Sequence, residues 1–474
     1  MQTRSRIGSP RPRGSDVRRL LRRILLLPLV AGCADDTTGV TDTPTTVDPS
    51  AGPSTTRPSS SSSGRPSTTS STGPATSSTT GLGTEATDAS TTSGASSTSA
   101  STGSTGEPPP DLGQPTTGEP VTCDAPGLYE ACDDLDDPGW TPNDPNTAPF
   151  RALGIGCPGA TPETGVPIFA NAFHSEDPDA WRVAAAFGTH EISPGLRQYA
   201  ARPAYALDGN DQPTDIVLMP SRSFLMLSTG RIAPLTGSKA VVEPFDSQAE
   251  NGANSNDDGN TPPAPIEPGT GSNNGAGGDP FQDCDGIGDC SDTLEPQWQL
   301  GGSDPNDKIW MQFQTTVPPE TSGYRFDFAF FSSEWPMYVG TGYNDLFIAW
   351  QVSEAYTGNT TFLPDPENPG EGLPLTITAL DPYFQSDGFA CLPAGDPSCV
   401  PPSELESTGF ERRAATDWVA AEAAVVGGET IEVVFFLADM SDALLATVVL
   451  LDNWRWSCQG CVPTAADDCG VILD

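Results

Sequence analysis

Lysine is all but missing from this 474-residue chain: Lys239 and Lys308 are the only two, and His174 and His190 are the only histidines. The 22 basic residues stand against 63 acidic ones, for a net charge of −41. Such a surface repels nucleic acid and anionic lipid, which excludes a nucleic-acid partner, and it attracts divalent cations. Neither histidine lies beside a recognisable Ser or Cys motif, so no Ser/His/Asp triad is legible and both fit satisfied surface residues. Phosphate-cradling glycine loops and zinc helix motifs are absent too. Past the N-terminus no apolar run approaches the ~20 residues of a membrane-spanning helix. The run Ala443–Leu451 is short and, with Thr447, Val448 and Val449, fits a buried strand.

Glycine and proline are abundant instead, 49 of each, together with long Ser/Thr tracts. Residues 33–120 lack aromatics and hydrophobic periodicity, so they cannot offset the entropy of ordering and are expected as a disordered Thr/Ser/Gly/Pro linker. As a flexible coil such a stalk reaches on the order of 50 Å.

Residues 1–32 carry eight arginines, from Arg4 to Arg23, then the apolar run Ile24–Val30 and the small residues Ala31 and Gly32 before Cys33. A basic region, a brief apolar region and small residues before a cut make a secretory signal. Val30-Ala31-Gly32-Cys33 also resembles the bacterial lipobox, which implies that Cys33 is lipidated and becomes the mature N-terminus. Several acyl chains suffice for stable membrane anchoring. Ala34, rather than Asp, follows the cysteine, and by analogy with lipoprotein sorting this points to the outer membrane and a surface-exposed cell-envelope location. Eight of the 22 basic residues and one acid precede Cys33, so the mature chain holds 14 basic and 62 acidic residues, a charge of −48.

Ten further cysteines follow: Cys123, Cys132, Cys157, Cys284, Cys290, Cys391, Cys399, Cys458, Cys461 and Cys469. An even set in an exported chain implies disulfides. Sequence does not fix their connectivity, but the close pairs Cys123/Cys132, Cys284/Cys290 and Cys391/Cys399 are favoured. Cys458-Gln-Gly-Cys461 has no second such pair and no nearby histidine, which favours a disulfide over a zinc or redox site.

Asp283, Asp285, Asp289 and Asp292 alternate with glycines in DCDGIGDCSD. Carboxylates at short spacing with tight turns can converge on one hard cation. The spacing is similar to thrombospondin type 3 calcium repeats, although only one copy occurs; the alternative is an acidic loop closed by Cys284 and Cys290.

The ordered part is expected to be mainly β. Tyr324, Phe326, Phe328 and Phe330 alternate with Arg325, Asp327 and Ala329, a half-buried strand. Further strands are expected at Ile216–Met219, Ser223–Leu227, Lys308–Thr315, Leu346–Val352, Leu375–Ala379, Thr430–Ala438 and Thr447–Trp454. Asp177–Gly188 is expected as a short helix with Pro178 at its first position, and Phe410–Val426 as a helix or a strand. Glu250–Pro280 is a long polar loop. Many short strands, turn signals and one or two short helices make a β-sandwich, jelly-roll-like.

Three segments, LMLSTG (225–230), FDFAFFSSEWPMYVGTGYNDLF (326–347) and FFLADMSDALLATVVLLDNWRW (435–456), resemble the choice-of-anchor L domain of bacterial surface proteins. That family's Ser-Glu-Glu-Tyr-Pro is matched by Ser333-Glu334-Trp335-Pro336, with the second Glu and the Tyr replaced. Its Asn-Asp is matched by Asn344-Asp345, and its closing acids by Asp439, Asp442 and Asp452-Asn453. The resemblance covers about residues 222–456. Residues 121–221 form a Cys-bearing part before it and 457–474 a Cys-rich tail. It implies a secreted cell-surface β domain with a role in adhesion or binding and no enzymatic activity to carry over.

Glu334, Asn344, Asp345, Asp452 and Asn453 are hard oxygen donors near strand ends and would meet around calcium if their strands are neighbours. Trp335, Tyr338 and Tyr343 near these acids suit a surface glycan, with a protein ligand as the other choice, or simply fill the sandwich edge. A lipid-anchored adhesion module is therefore expected; a carboxylate-dependent polysaccharide hydrolase and a structural envelope component are the alternatives.

Overall fold

The computed structural model describes residues 129–207, 213–236, 241–242, 259–271, 284–368, 371–384, 403–411, 413–458 and 470–472. In chain order the first elements are α1 (Ala148–Ala152), β1 (Phe169–Ser175), β2 (Trp181–Ala184), β3 (Ala186–Ser193), β4 (Leu196–Ala200), β5 (Ala204–Leu207), β6 (Pro213–Met219) and β7 (Phe224–Ser228). Next come β8 (Leu235–Thr236), β9 (Val241–Val242), α2 (Leu294–Leu300), β10 (Pro305–Thr316), β11 (Gly323–Ser332), β12 (Leu346–Val352) and β13 (Gly358–Asn359). The last are β14 (Phe362–Pro364), β15 (Gly372–Pro374), α3 (Ile377–Leu380), β16 (Ala414–Ala415), β17 (Val419–Ala424), β18 (Thr430–Met440), β19 (Thr447–Ser457) and β20 (Gly470–Ile472). The stalk and Cys33 lie outside the described residues.

Two antiparallel sheets form the sandwich. One has the order β1-β10-β18-β12-β13 and the other β2-β7-β19-β11-β17-β20, with β16 also pairing β11. The alternation in β11 sets the interior, because Tyr324, Phe326, Phe328 and Phe330 all face the opposing sheet. Phe326 meets Phe435 at 4.9 Å between ring centroids, Phe328 meets Phe347 at 5.8 Å, and Phe313 meets Trp454 at 5.6 Å. Each contact joins one sheet to the other. Burying an aromatic side chain this way contributes about 1.5–3 kcal/mol.

The outer faces are covered as well. Phe331 and Ala329, on the reverse of β11, pack with Phe187 and Tyr199 of the small sheet β4-β3-β9-β8. Ile348, Trp350 and Phe436 pack beneath Leu294 and Trp298 of α2 and beneath Ile266. Antiparallel strands usually keep one wet face; coverage on both explains the unbroken apolar runs of β12, β18 and β19. Among the described residues no helix is long and apolar enough to cross a membrane. Of the apolar run Ala443–Leu451, only Thr447–Leu451 is strand, inside β19; residues 443–446 form the connection before it, with Leu444 exposed.

Strands from before residue 222 are built into the same sheets: β1 pairs β10, and β2 pairs β7. Within the C-terminal tail β20 pairs β17.

Asp177–Gly188 is not a helix. The Asp177 carboxylate accepts from the Asp179 backbone and from Arg231, and the chain then enters β2 and β3. Trp181 and Val183 alternate into the core, so sheet pairing overrides a weak local preference. Phe410–Val426 resolves to strand: Ala420, Ala421, Ala423 and Ala424, strong helix formers, let β17 lie close between β11 and β20. In the expected strand Leu375–Ala379, only Leu375 bridges, to Phe347; Thr376 then caps α3 by accepting from the Ala379 amide. Cys132 bonds to Cys157 and not to Cys123, because the fold brings residues 25 apart in sequence to a Cα separation of 5.6 Å. Cys284–Cys290 forms as expected, and Cys458 is disulfide-bonded. Cys123, Cys391, Cys399, Cys461 and Cys469 lie outside the described residues.

Candidate metal centre

Strand β11 ends at Ser332, and the chain loops through residues 333–345 into β12. Two acids stand at the neck of this loop, Glu334 where it leaves β11 and Asp345 where it enters β12. Ser333 fastens the start through its amide and hydroxyl, both donating to the Ala446 carbonyl. The far end is fixed by the Asp345 amide, which donates to Glu334 Oε2 at 3.1 Å. The third acid comes from the neighbouring strand. Leu346 pairs with Ala438 in the β12–β18 register, so Asp345 falls opposite Asp439.

Glu334, Asp345 and Asp439 are buried, and one carboxylate oxygen from each lies within 4.8 Å of the others. Oxygens bound to one calcium at about 2.3–2.6 Å can stand up to roughly 5 Å apart, so the spacing fits one ion. Donors are scarce. Thr229 Oγ1 reaches Asp345 Oδ2 only at 3.5 Å, and no donor among the described residues meets Asp345 Oδ1 or either oxygen of Asp439. None of the described ion pairs engages any of the three.

Burial and mutual repulsion act on these groups together. Burial foremost, and then the charge of Asp345, pushes the Glu334 carboxyl up to about 10. Burial pushes Asp345 up to about 7, with Asp442 and Asp307 adding to the rise. Asp439 is driven well above the carboxylate range by burial and by its two neighbours. Three buried, poorly solvated carboxylates must either hold protons or surround a cation. An all-oxygen donor set suits a hard divalent ion.

The remaining sequence candidates fall elsewhere. Asn344 adjoins the centre, but its amide nitrogen donates to Gln297 Oε1 and Thr378 Oγ1. Asp452 and Asn453 lie farther along β19 than Thr447, on the order of 17 Å at strand rise. There Asp452 accepts from Ser221 Oγ and the Arg202 amide, and Asn453 donates to Asp327. They anchor the segment before β7 and are not brought to the triad.

The described acids of the 283–292 loop, Asp285, Asp289 and Asp292, form no cluster of metal-binding size. Asp289 is buried and accepts from the backbone amides of Ser291, Thr293, Leu294 and Asn359. Asp285 is exposed and accepts from the Ile287 amide, while Asp292 accepts from the Gly271 amide. Asp283 lies outside the described residues. The loop is fastened by Cys284–Cys290 and by the Asp289 knot. His174 stacks on Trp310 with centroids 5.4 Å apart, near Glu176.

Asp439, matched in the sequence to the closing acids of the choice-of-anchor L pattern, is the ligand candidate that was not counted among the oxygen donors for calcium. Its signal was available: one acid inside the apolar run FFLADM, where a buried carboxylate needs a partner. Asp307 and Asp442 act on the same centre electrostatically. No family model, no curated protein and no solved structure matches this chain.

Proposed function

We propose that this chain is a lipid-anchored bacterial cell-surface protein whose β-sandwich is a non-catalytic adhesion or ligand-binding module, stabilised by a calcium ion held by Glu334, Asp345 and Asp439. One observation carries the cation: three buried carboxylates with oxygens inside 4.8 Å of one another, several of which meet no donor. Calcium is favoured because every donor is a carboxylate oxygen and because its flexible coordination tolerates loop-borne ligands. The ion would close the neck of the 333–345 loop and neutralise charge in a chain of −41. The resemblance to choice-of-anchor L domains and the lipobox-like Cys33 supply the surface location.

The packing supports binding over hydrolysis. Glycosidase carboxylates stand about 5–10 Å apart across an open cleft, with room for water or a sugar. Here the three acids turn oxygens to within 4.8 Å of one another and are buried, not set across an open cleft.

The test is a calcium titration of the chelator-stripped protein by calorimetry, repeated with terbium luminescence. One ion per chain is expected, with binding lost in Asp439→Asn and Asp345→Asn and kept in Asp285→Asn. Binding that persists in both triad variants would refute the site.

A further inference from the structure

In a chain this acidic, arginines find carboxylates easily: Arg151, Arg182, Arg222, Arg231, Arg325 and Arg455 each reach one. Arg413 does not. It is 9% exposed, its Nε is sealed from solvent without an acceptor, and its guanidinium makes none of the described hydrogen bonds or ion pairs. Position makes this more telling. Arg413 immediately precedes β16, whose Ala414 pairs with Ser332 at the end of β11, so it stands at the base of the 333–345 loop. Burial lowers the Arg413 pKa, and the Tyr338 hydroxyl is the neighbouring group that opposes this. A guanidinium held in a poorly solvated place without a counter-charge is costly unless a partner arrives.

We infer that Arg413 is the acid-recognition point of a saccharide site, taking the carboxylate of an acidic sugar whose ring lies against Tyr338 and Tyr343. This rests on the reading of the sandwich as a ligand-binding module and names its ligand class. The planar fork of arginine matches a carboxylate through two parallel hydrogen bonds. On the loop that starts there, the Tyr338 and Tyr343 rings stand 5.9 Å apart and Tyr343 is 44% exposed, so an aromatic surface is open to a sugar face. The overall negative charge repels polyanions, so the fitting ligand bears sparse acidic groups and is otherwise neutral.

The experiment is calorimetry of the full chain against a mixed neutral–uronic acid oligosaccharide. The same oligosaccharide with its carboxyls reduced to alcohols, and peptides with free C-terminal carboxylates, are the comparison ligands. Saturable binding to the uronate form, at least tenfold weaker for the reduced form, is the expected result. Arg413→Gln should lose at least tenfold, Arg413→Lys should lose less, and Tyr343→Ala should weaken binding several-fold. Calcium affinity of Arg413→Gln should stay as in the parent. Equal affinity for the reduced sugar, or binding to the peptides alone, would overturn the inference. So would uronate binding unchanged in a folded Arg413→Gln. The sugar comparison on the parent protein needs no variant, so a misfolded substitution leaves the test intact. Calcium binding without uronate binding fails this inference alone; the reverse fails the cation site alone.

Discussion

Asp289 and Asp439 are both aspartates with no exposed surface, and the fold treats them in opposite ways. Around Asp289, four backbone amides and the Ser291 hydroxyl converge, and the carboxylate ties the 284–290 disulfide loop to the start of α2 and to β13. Around Asp439 there are other carboxylates and, among the described residues, no donor. Burial raises both groups; at Asp289 the hydrogen bonds pull back down, while at Asp439 the neighbours push further up. A buried acid is thus structural or ligand-seeking according to its donors, not its depth.

The largest effect should come from breaking the satisfied member. Asp289→Ala orphans its amide donors, each left without its partner in the interior, and should destabilise the sandwich by about 3 kcal/mol or more in denaturant unfolding. Asp439→Asn in chelator should change stability far less, or raise it, because it removes repulsion. Equal losses in the two variants would erase the distinction.

Next in size is the ion itself. A divalent cation bound only by the folded form adds about 2.7 kcal/mol at a hundredfold excess over Kd. The melting temperature should rise several degrees in millimolar calcium, less in magnesium, and not at all in Asp439→Asn. Sodium chloride at matched ionic strength giving the same rise would reduce the triad to general screening.

The smallest effect concerns pH without the ion. The triad carboxyls are raised in the folded state, so the folded form binds more protons than the unfolded one and stability falls as pH rises. Their contribution is complete below the unfolded carboxyl range near pH 4 and lost through about 7 for Asp345 and about 10 for Glu334. In chelator, melting at pH 5 should exceed melting at pH 8, and saturating calcium should flatten the slope. A melting temperature that climbs with pH in chelator would show instead that the acids are ionised and bonded.

Much of this molecule was settled by local pattern. The aromatic alternation of β11 requires a two-faced strand, and the β-branched runs of β18 and β19 require neighbours, so a mainly β sandwich follows from the sequence itself. Glu334 and Asp345 were legible for the same reason, as acids beside strand ends. Tertiary structure decided what depends on register and pairing. Strand pairing with β7 turned 181–184 from a helical pattern into an edge of the sheet, and folding chose Cys157 over Cys123 for Cys132. Whether Asp452 or Asp439 joins the acids turns on which strand lies beside β12. Residues remote in sequence meet only through that ordering, and a linear pattern with period two cannot state it.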